Sequence, residues 1–249
     1  MLISNKLVSL LRGDVRTVVL TGAGISAESG VPTFRGADGL WDKFDPRELA
    51  SIDGFMQNPK IVWEWYLFRR GVIENAKPNK GHKTLAALSR KLTDFTLITQ
   101  NVDNLHRRAG SEGVIELHGN ILRNKCFECG EPLPDQEINP DDLPRCQCGG
   151  RIRPDVIWFG EMLPEEAVNI AMTTSLRAQL FFSIGTSAEV FPAADLPRIA
   201  KRSGAYLVEI NPTQTPLSML ADEMLQGKAG EVLPQIWEHV YGAAVRTSP

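Results

Sequence analysis

The sequence has few cysteines, few tyrosines and no long apolar run. Of its 249 residues only four are Cys and three are Tyr, and the cysteines all lie between positions 126 and 148. Cysteines this few and this clustered do not form a disulfide framework for a whole chain of this size. Apolar runs such as VVL at 18–20 and LFF at 180–182 are far shorter than the roughly 20 residues of a membrane-spanning helix. The sequence therefore predicts no membrane span.

An excess of positive charge is also missing. The chain has 27 Lys and Arg against 30 Asp and Glu, a formal net charge of −3. Without a basic field we expect neither direct nucleic-acid binding nor adhesion to anionic lipid. The N-terminal segment, with Lys6, Arg12 and Asp14 among its apolar residues, is typical of a short amphipathic helix and not of a signal peptide. We expect a cytoplasmic location, with a transit peptide as the alternative.

The apolar pattern predicts an α/β protein. Short apolar runs that suggest buried strands lie at 17–20, 95–99, 114–117, 156–159, 181–184 and 207–210. Helical or loop segments separate most of them, which favours a Rossmann-like parallel sheet with helices on both faces. Two segments break this alternation. We therefore expect residues 1–36, 83–118 and 156–249 to form the Rossmann-like domain, and a helical insertion at 37–82 and a cysteine module at 119–155 to form a smaller lobe.

A glycine-rich turn follows the first predicted strand. Gly22, Gly24 and Ala27 fit the pattern G-x-G-x-x-G/A, in which glycines allow a tight turn and the approach of a pyrophosphate to the start of a helix. A plain turn is the alternative. The acidic residue that normally binds the ribose is displaced, because Asp42 and Asp45 fall in the helical insertion. This argues against an ordinary dehydrogenase.

The four cysteines form a C-x-x-C pair, Cys126 and Cys129, and a C-x-C pair, Cys146 and Cys148. Four thiolates complete a closed tetrahedral zinc site and leave no coordination position for a substrate. We expect a structural zinc that stabilises a polar insertion unable to fold alone. Free or redox-active thiols are the alternative, and the second pair is closer in sequence than is usual in zinc ribbons.

The motifs together resemble the sirtuin family of NAD-dependent protein deacylases. They are GAGISAESGVPTFRG (22–36), TQNVDNLHRRAG (99–110), ELHGN (116–120), the paired cysteines, RPDVIWFGE (153–161), GTSAEV (185–190) and EINP (209–212). The resemblance runs in order from about residue 10 to about residue 240. It implies NAD as co-substrate, structural zinc, and acylated-lysine proteins as partners, with nicotinamide and O-acyl-ADP-ribose as products. No oligomeric state follows from the sequence.

The resemblance also implies roles for individual residues. His118 would be the general base that deprotonates a ribose hydroxyl, and Asn101 would assist it in catalysis. The predicted NAD-binding residues are Gly22, Ala23, Gly24, Ile25, Phe34, Arg35, Trp41, Gln100, Asn101, Val102, Asp103, Gly185, Thr186, Ser187, Asn211, Pro212, Thr213 and Ala229.

The substrate residues fall into two groups. Tyr66 and Arg69 are three residues apart on a predicted helix, so both project from one face, where a phenol and a guanidinium can bind one carboxylate. This Tyr-x-x-Arg pattern resembles the sirtuin branch that removes succinyl and malonyl groups; a core Tyr beside a solvated Arg is the alternative. The resemblance further implies that the peptide adds as a strand between Val156, Ile157, Trp158, Phe159 and Gly160 on one side and Glu189 and Val190 on the other.

Two other functions use the same motifs. A mono-ADP-ribosyltransferase would bind NAD in the same way but would transfer the ADP-ribose itself to a protein. A non-catalytic NAD sensor or zinc-dependent binding module would need neither Asn101 nor His118. We expect a deacylase with deacetylase, desuccinylase and demalonylase activity.

Overall fold

The computed structural model describes residues 3–34, 39–134 and 138–242. Within those ranges, no helix combines the length and apolar character that crossing a bilayer requires. The strands are β1 (Thr17–Thr21), β2 (Phe95–Thr99), β3 (Ile115–Glu116), β4 (Gly119–Cys126), β5 (Pro132–Leu133), β6 (Ile152–Val156), β7 (Leu180–Ile184), β8 (Tyr206–Asn211) and β9 (Glu223–Gln226). The helices are α1 (Asn5–Arg12), α2 (Gly24–Ala27), α3 (Leu40–Lys43), α4 (Pro46–Leu49), α5 (Ile52–Gln57), α6 (Pro59–Asn75), α7 (Lys80–Lys91), α8 (Leu105–Arg108), α9 (Glu165–Arg177), α10 (Leu196–Arg202) and α11 (Ala229–Tyr241).

Six strands form one parallel sheet in the order β3-β2-β1-β7-β8-β9. Counted along the chain this is the 3-2-1-4-5-6 order of Rossmann folds. Strand β1 is buried along its whole length, which explains its unbroken apolar and β-branched sequence TVVLT. The strand order reverses between β1 and β7, and ligands bind at the carboxyl ends of strands around such a point.

Helices cover both faces of this sheet. On one face Leu7 of α1, Leu85 of α7 and Leu233 of α11 pack against Val19 and its neighbours. On the other face α9 and α10 pack against strand residues that include Val18, because successive strand residues point to opposite faces. The predicted Rossmann-like architecture is confirmed.

The smaller lobe combines an antiparallel sheet, in the order β5-β4-β6, with helices α3 to α6. Its core contains Trp63 of α6 and Ile152 of β6, and the Trp63 indole donates to the Ile152 carbonyl at 2.9 Å. The Arg70 guanidinium donates to the Ile121 carbonyl of β4 at 2.6 Å. The two predicted insertions thus pack on each other, and the exact domain boundaries stay a prediction.

One local expectation was wrong, and two features of the fold were not foreseen. Of the run 156–159, only Val156 lies in a strand, and that strand, β6, belongs to the small antiparallel sheet. The edge strand β9 was not predicted, because its sequence EMLQ is short and half polar. The helix after the glycine turn, α2, is only four residues long, so its dipole is weaker than that of a longer helix.

Candidate active site

A cavity of about 760 Å³ lies between the carboxyl ends of the central strands and the small lobe. Its volume is typical of a site for a cofactor-sized ligand. The predicted NAD residues that line it are Gly22, Ala23, Gly24, Phe34, Gln100, Asn101, Val102, Gly185, Thr186, Ser187, Asn211, Pro212 and Thr213. The predicted base and substrate residues line it as well: His118, Tyr66, Arg69, Val156, Ile157, Trp158, Phe159, Gly160 and Val190.

Other predicted residues lie elsewhere. Ile25, Asp103 and Ala229 are buried residues that do not line the cavity. Arg35 lies outside the described residues, and of Trp41 only the backbone, in α3, is described. For these positions the cofactor role stays a prediction.

Three charged residues that line the cavity were not predicted: Glu28, Glu161 and Lys228. Glu28 accepts a hydrogen bond from the Gly230 N–H at 2.7 Å, which ties the segment after the glycine turn to the start of α11. Glu161 ends the motif RPDVIWFGE, so its place in that motif was the available signal.

The glycine turn contacts the loop after β7 through main chain. A Cβ on Gly24 would lie 2.7 Å from the Gly185 Cα, and one on Gly22 would lie 2.8 Å from the Thr186 Cα. Gly185 itself has φ of +60°, a conformation that favours glycine. The glycines are therefore needed first for the close approach of two loops, a reason different from the expected pyrophosphate contact. Main chain at 22–24 remains part of the cavity wall, which fits a phosphate-bearing ligand.

His118 lies in the turn between β3 and β4 and faces the cavity. Its Nδ1 is 2.8 Å from the Gln100 carbonyl oxygen. A carbonyl only accepts, so Nδ1 carries a proton and the neutral ring has its lone pair on Nε2. Burial lowers the pKa of His118 below the ordinary value of 6.5, against the opposing effect of the Gln100 carbonyl. The imidazole is therefore neutral at pH 7 and can accept a proton at Nε2.

Asn101 and Gln100 follow β2 and have defined donor roles. Asn101 Nδ2 donates to the Gly22 carbonyl at 3.0 Å and to Ser26 Oγ at 3.2 Å. Both amide hydrogens are thus used, and Asn101 can offer a ligand only its acceptor oxygen. Gln100 Nε2 donates to Thr186 Oγ1 at 3.0 Å, which links the loops after β2 and β7.

Ser26 and Asp103 support Asn101 on the side away from the cavity. Ser26 Oγ donates to Asp103 Oδ2 at 2.6 Å, and the second Asp103 oxygen accepts from the Leu105 N–H at 2.9 Å. Burial raises the pKa of Asp103, opposed by these hydrogen bonds. His82 Nε2 lies 3.4 Å from the same Ser26 Oγ. Burial lowers the pKa of His82 to about 4, so its ring is neutral.

Tyr66 and Arg69 form the end of the cavity in the small lobe. Both are buried on α6, and burial raises the pKa of the Tyr66 phenol, so it stays neutral. Burial lowers the pKa of Arg69, but a guanidinium remains cationic. The Arg69 guanidinium lies 4.8 Å from the ring centres of both Phe34 and Trp65. Over residues 3–34, 39–134 and 138–242 it makes no hydrogen bond or ion pair with the chain. The structure disfavours the alternative of a solvated Arg.

The four cysteines converge at the far end of the small lobe. Sγ distances are 3.5 Å for Cys126 to Cys148, 3.8 Å for Cys129 to Cys146 and 3.5 Å for Cys129 to Cys148. Tetrahedral zinc with Zn–S bonds of about 2.3 Å requires sulfurs about 3.8 Å apart, whereas a disulfide requires about 2.05 Å. All four thiols are free, and their Sγ atoms lie within 4.8 Å of one another. The cluster fits structural zinc, and the C-x-C spacing does not prevent it.

Comparison with known proteins gives the same family throughout. Residues 22–192 match the model of the Sir2 family. The NAD-dependent protein deacylase of Aquifex aeolicus is 50% identical over 229 residues, 91% of this chain and 96% of that protein. A Sir2 homologue solved as an NAD complex superposes with a TM-score of 0.89 at 46% identity, covering 97% of this chain and 95% of the other. A Sir2 structure with a p53 peptide and NAD+ has a TM-score of 0.84 at 35% identity, covering 97% of this chain and 100% of the other. With the Rossmann-like sheet, the shared cavity and the four-cysteine cluster, these matches show that the chain belongs to the Sir2 family.

Proposed function

We propose that this chain is an NAD-dependent protein lysine deacylase that removes acetyl groups and, through Tyr66 and Arg69, succinyl and malonyl groups. The observation that carries the proposal is one cavity lined by the glycine turn, a neutral histidine and a buried cation that, among the described residues, makes no direct hydrogen bond or ion pair. Relatives named NAD-dependent protein deacylases support the general activity. The preference for acidic acyl groups is supported by the Tyr-x-x-Arg pattern and by the cavity.

The base is His118. Its Nδ1–H is committed to the Gln100 carbonyl, so proton uptake occurs at Nε2 and yields a cation that this carbonyl stabilises. NAD supplies an activated ribose whose nicotinamide can leave and whose hydroxyls can react with the acyl group. His118 accepts the proton from one of those hydroxyls, a contribution typically worth about 10²- to 10⁴-fold in rate.

Asn101 acts by orientation. Because Gly22 and Ser26 hold its amide hydrogens, its oxygen has a fixed direction and accepts from a hydroxyl or a water in the cavity. The hydrogen bond from Ser26 to Asp103, behind the cavity wall, holds the Asn101 side chain in this orientation. Fixed acceptors of this kind favour a reactive geometry without reorganisation when the substrate binds.

The acyl pocket suits a carboxylate for electrostatic reasons. The Arg69 cation is already buried. Asp103 attracts it at a distance, but no acidic side chain within the described ranges forms a direct ion pair with it. A succinyl or malonyl carboxylate entering from the cavity supplies that partner and receives charge-assisted hydrogen bonds. An acetyl group enters the same pocket but offers Arg69 no acceptor for a hydrogen bond.

Peptide recognition at 156–160 is restricted by hydrogen bonds already made. The Ile157 N–H donates to the His118 carbonyl at 3.0 Å, and the Phe159 N–H donates to the Ala50 carbonyl at 2.9 Å. The Trp158 N–H donates to Glu161 at 2.7 Å. An added peptide strand would therefore rely on the Gly160 N–H and on carbonyl oxygens of this segment, together with the chain around Val190 on the other side. Such contacts read little of the peptide sequence, which fits a protein that acts on many acylated lysines. The predicted cytoplasmic location remains a proposal as well.

The test is mass spectrometry of products from matched acetyl-lysine and succinyl-lysine peptides, with and without NAD. We expect free lysine peptide, nicotinamide and O-acyl-ADP-ribose only when NAD is present, and loss of these products in His118→Ala. A peptide or protein that gains ADP-ribose instead would favour the mono-ADP-ribosyltransferase. NAD binding without turnover would favour the sensor or binding module.

A further inference from the structure

The phenol of Tyr66 is held by a residue 92 positions away in sequence. The Trp158 indole Nε1 lies 2.9 Å from Tyr66 Oη, and both side chains are buried. We propose that Trp158 is a positioning residue that determines acyl specificity. Its indole N–H donates to the Tyr66 hydroxyl oxygen and so leaves the phenol hydrogen to donate to the carboxylate of an acidic acyl group. This inference rests on the proposed function and names a third residue of its acyl selectivity.

The direction of this hydrogen bond follows from donor chemistry. An indole N–H only donates, so Tyr66 Oη is the acceptor and its single hydrogen is not used in this contact. Arg69, the other polar neighbour on α6, also only donates. Because burial raises the pKa of Tyr66, the phenol keeps its hydrogen at neutral pH. The hydrogen is thus available to an acceptor that enters from the cavity.

The indole cannot easily turn away. The Arg153 guanidinium lies 3.3 Å from the centre of its ring, and the Phe55 ring centre lies 5.1 Å from it on the core side. Arg153 is in turn bound to Glu161 through two contacts of 2.5 and 2.8 Å. Glu161 also accepts the backbone N–H of Trp158 at 2.7 Å.

This Arg153–Glu161 pair has an electrostatic consequence as well. Glu161 lines the cavity, and an unpaired carboxylate there would repel an acidic acyl group. Burial raises the pKa of Glu161, but the hydrogen bonds from Arg153 and the Trp158 N–H, together with the charges of Arg153 and Lys125, lower it overall. The Glu161 charge is therefore present and is neutralised by Arg153. The same pair therefore fixes the indole and removes a competing negative charge.

The effect of Trp158 is expected to differ between acyl groups. A hydroxyl that already accepts a hydrogen bond is a stronger donor to the next acceptor in the chain of bonds. A succinyl carboxylate takes that hydrogen, whereas an acetyl methyl group cannot. Loss of the indole N–H should consequently weaken succinyl recognition more than acetyl recognition.

The experiment compares Trp158→Phe with the matched control Trp63→Phe. Trp63 also donates a buried indole hydrogen bond, at 2.9 Å to the Ile152 carbonyl, but does not line the cavity. We expect Trp158→Phe to lower the succinyl-to-acetyl ratio of kcat/KM by about three- to tenfold, the effect of one hydrogen bond. Trp63→Phe should leave this ratio within about twofold of wild type even where it lowers Tm.

A second background separates an effect through Tyr66 from a general one. In Tyr66→Phe, which has no hydroxyl to position, adding Trp158→Phe should change the ratio by less than about twofold. An undiminished effect of Trp158→Phe in that background, or equal ratios for Trp158→Phe and wild type, would overturn the inference while the proposed function stands. A wild-type protein without any desuccinylation would overturn both.

Discussion

Substitution of Arg69 by Met gives the sharpest test of the acyl pocket. Met keeps most of the unbranched stem that packs beside Phe34 and Trp65 but removes the cation. A buried charged hydrogen-bond partner of a ligand is typically worth about 2–5 kcal/mol. We therefore expect the succinyl-to-acetyl ratio of kcat/KM to fall by at least about 30-fold, since about 1.4 kcal/mol corresponds to a factor of ten.

The same substitution should not weaken the fold. In the described residues the Arg69 cation has no hydrogen bond or ion pair. Its burial costs free energy that two cation–π contacts and the electrostatic attraction of Asp103 only partly offset, since burial still lowers the pKa of Arg69 overall. Removing the cation should change the free energy of unfolding by less than about 1 kcal/mol, which corresponds to a change in Tm of less than about 2–4 °C in a chain of this size. Loss of function together with unchanged or higher stability is typical of a residue kept for binding.

The assay pairs steady-state kinetics on matched succinyl- and acetyl-lysine peptides with thermal unfolding of the same samples. Arg69→Lys is the matched control, since it keeps the charge and loses the forked geometry, and we expect a ratio between those of wild type and Arg69→Met. Parallel losses of both activities in Arg69→Met, accompanied by a fall in Tm of several degrees, would refute the reasoning and assign Arg69 a structural role.

Three further predictions concern the base, the buried histidine and the metal. Because burial lowers the pKa of His118, the acid limb of kcat/KM for deacetylation should inflect below pH 6.5, and a pH profile with its midpoint above that value would contradict the assignment. His82 is fully buried, and burial lowers its pKa to about 4 from the 6.5 of the unfolded chain. Its contribution to the free energy of unfolding is therefore fully present above pH 6.5 and is about 3 kcal/mol smaller at pH 4. Urea unfolding at pH 7 and pH 4 should show a loss of stability that is about 3 kcal/mol smaller in His82→Gln than in wild type, since His106, whose pKa is also lowered by burial, contributes to the loss in both. Zinc removal should increase hydrogen exchange of the backbone amides in β4 and β6. Because Arg70 of α6 donates to the Ile121 carbonyl of β4, it should also loosen α6 and impair desuccinylation. Unchanged exchange after complete metal removal would contradict a structural zinc.

Most of the main sheet could be predicted from sequence because its strands are buried on both faces. Runs such as TVVLT in β1 are apolar and β-branched throughout, a pattern that an exposed segment does not have. Strand β9 lies at the edge and has only one buried residue, so its sequence carries no such signal. The run 156–159 is apolar for another reason, since it lines the cavity and places the Trp158 indole within hydrogen-bond distance of the Tyr66 hydroxyl.

The candidate site was predictable where a motif holds its residues together in sequence. His118 and Asn101 each stand in a short block next to a strand end, and the family resemblance identifies both. The hydrogen bond between Trp158 and Tyr66 joins residues from two different segments, and no local pattern indicates it. Likewise Gly22 and Gly24 were expected to face a phosphate, whereas their lack of a side chain is required by a loop that comes more than 160 residues later.

The interlocked glycine loops and the aromatic helix α6 divide the cavity into halves with different tolerance to change. At 22–24 and 185 the wall is main chain in mutual contact, so almost any added side chain would force the loops apart and deform the end that would hold the dinucleotide. The opposite end consists of side chains on a single helix, where one replacement alters charge or shape without moving the backbone. An engineer seeking new acyl substrates should therefore vary α6 and its indole neighbour, and leave the glycine loops untouched.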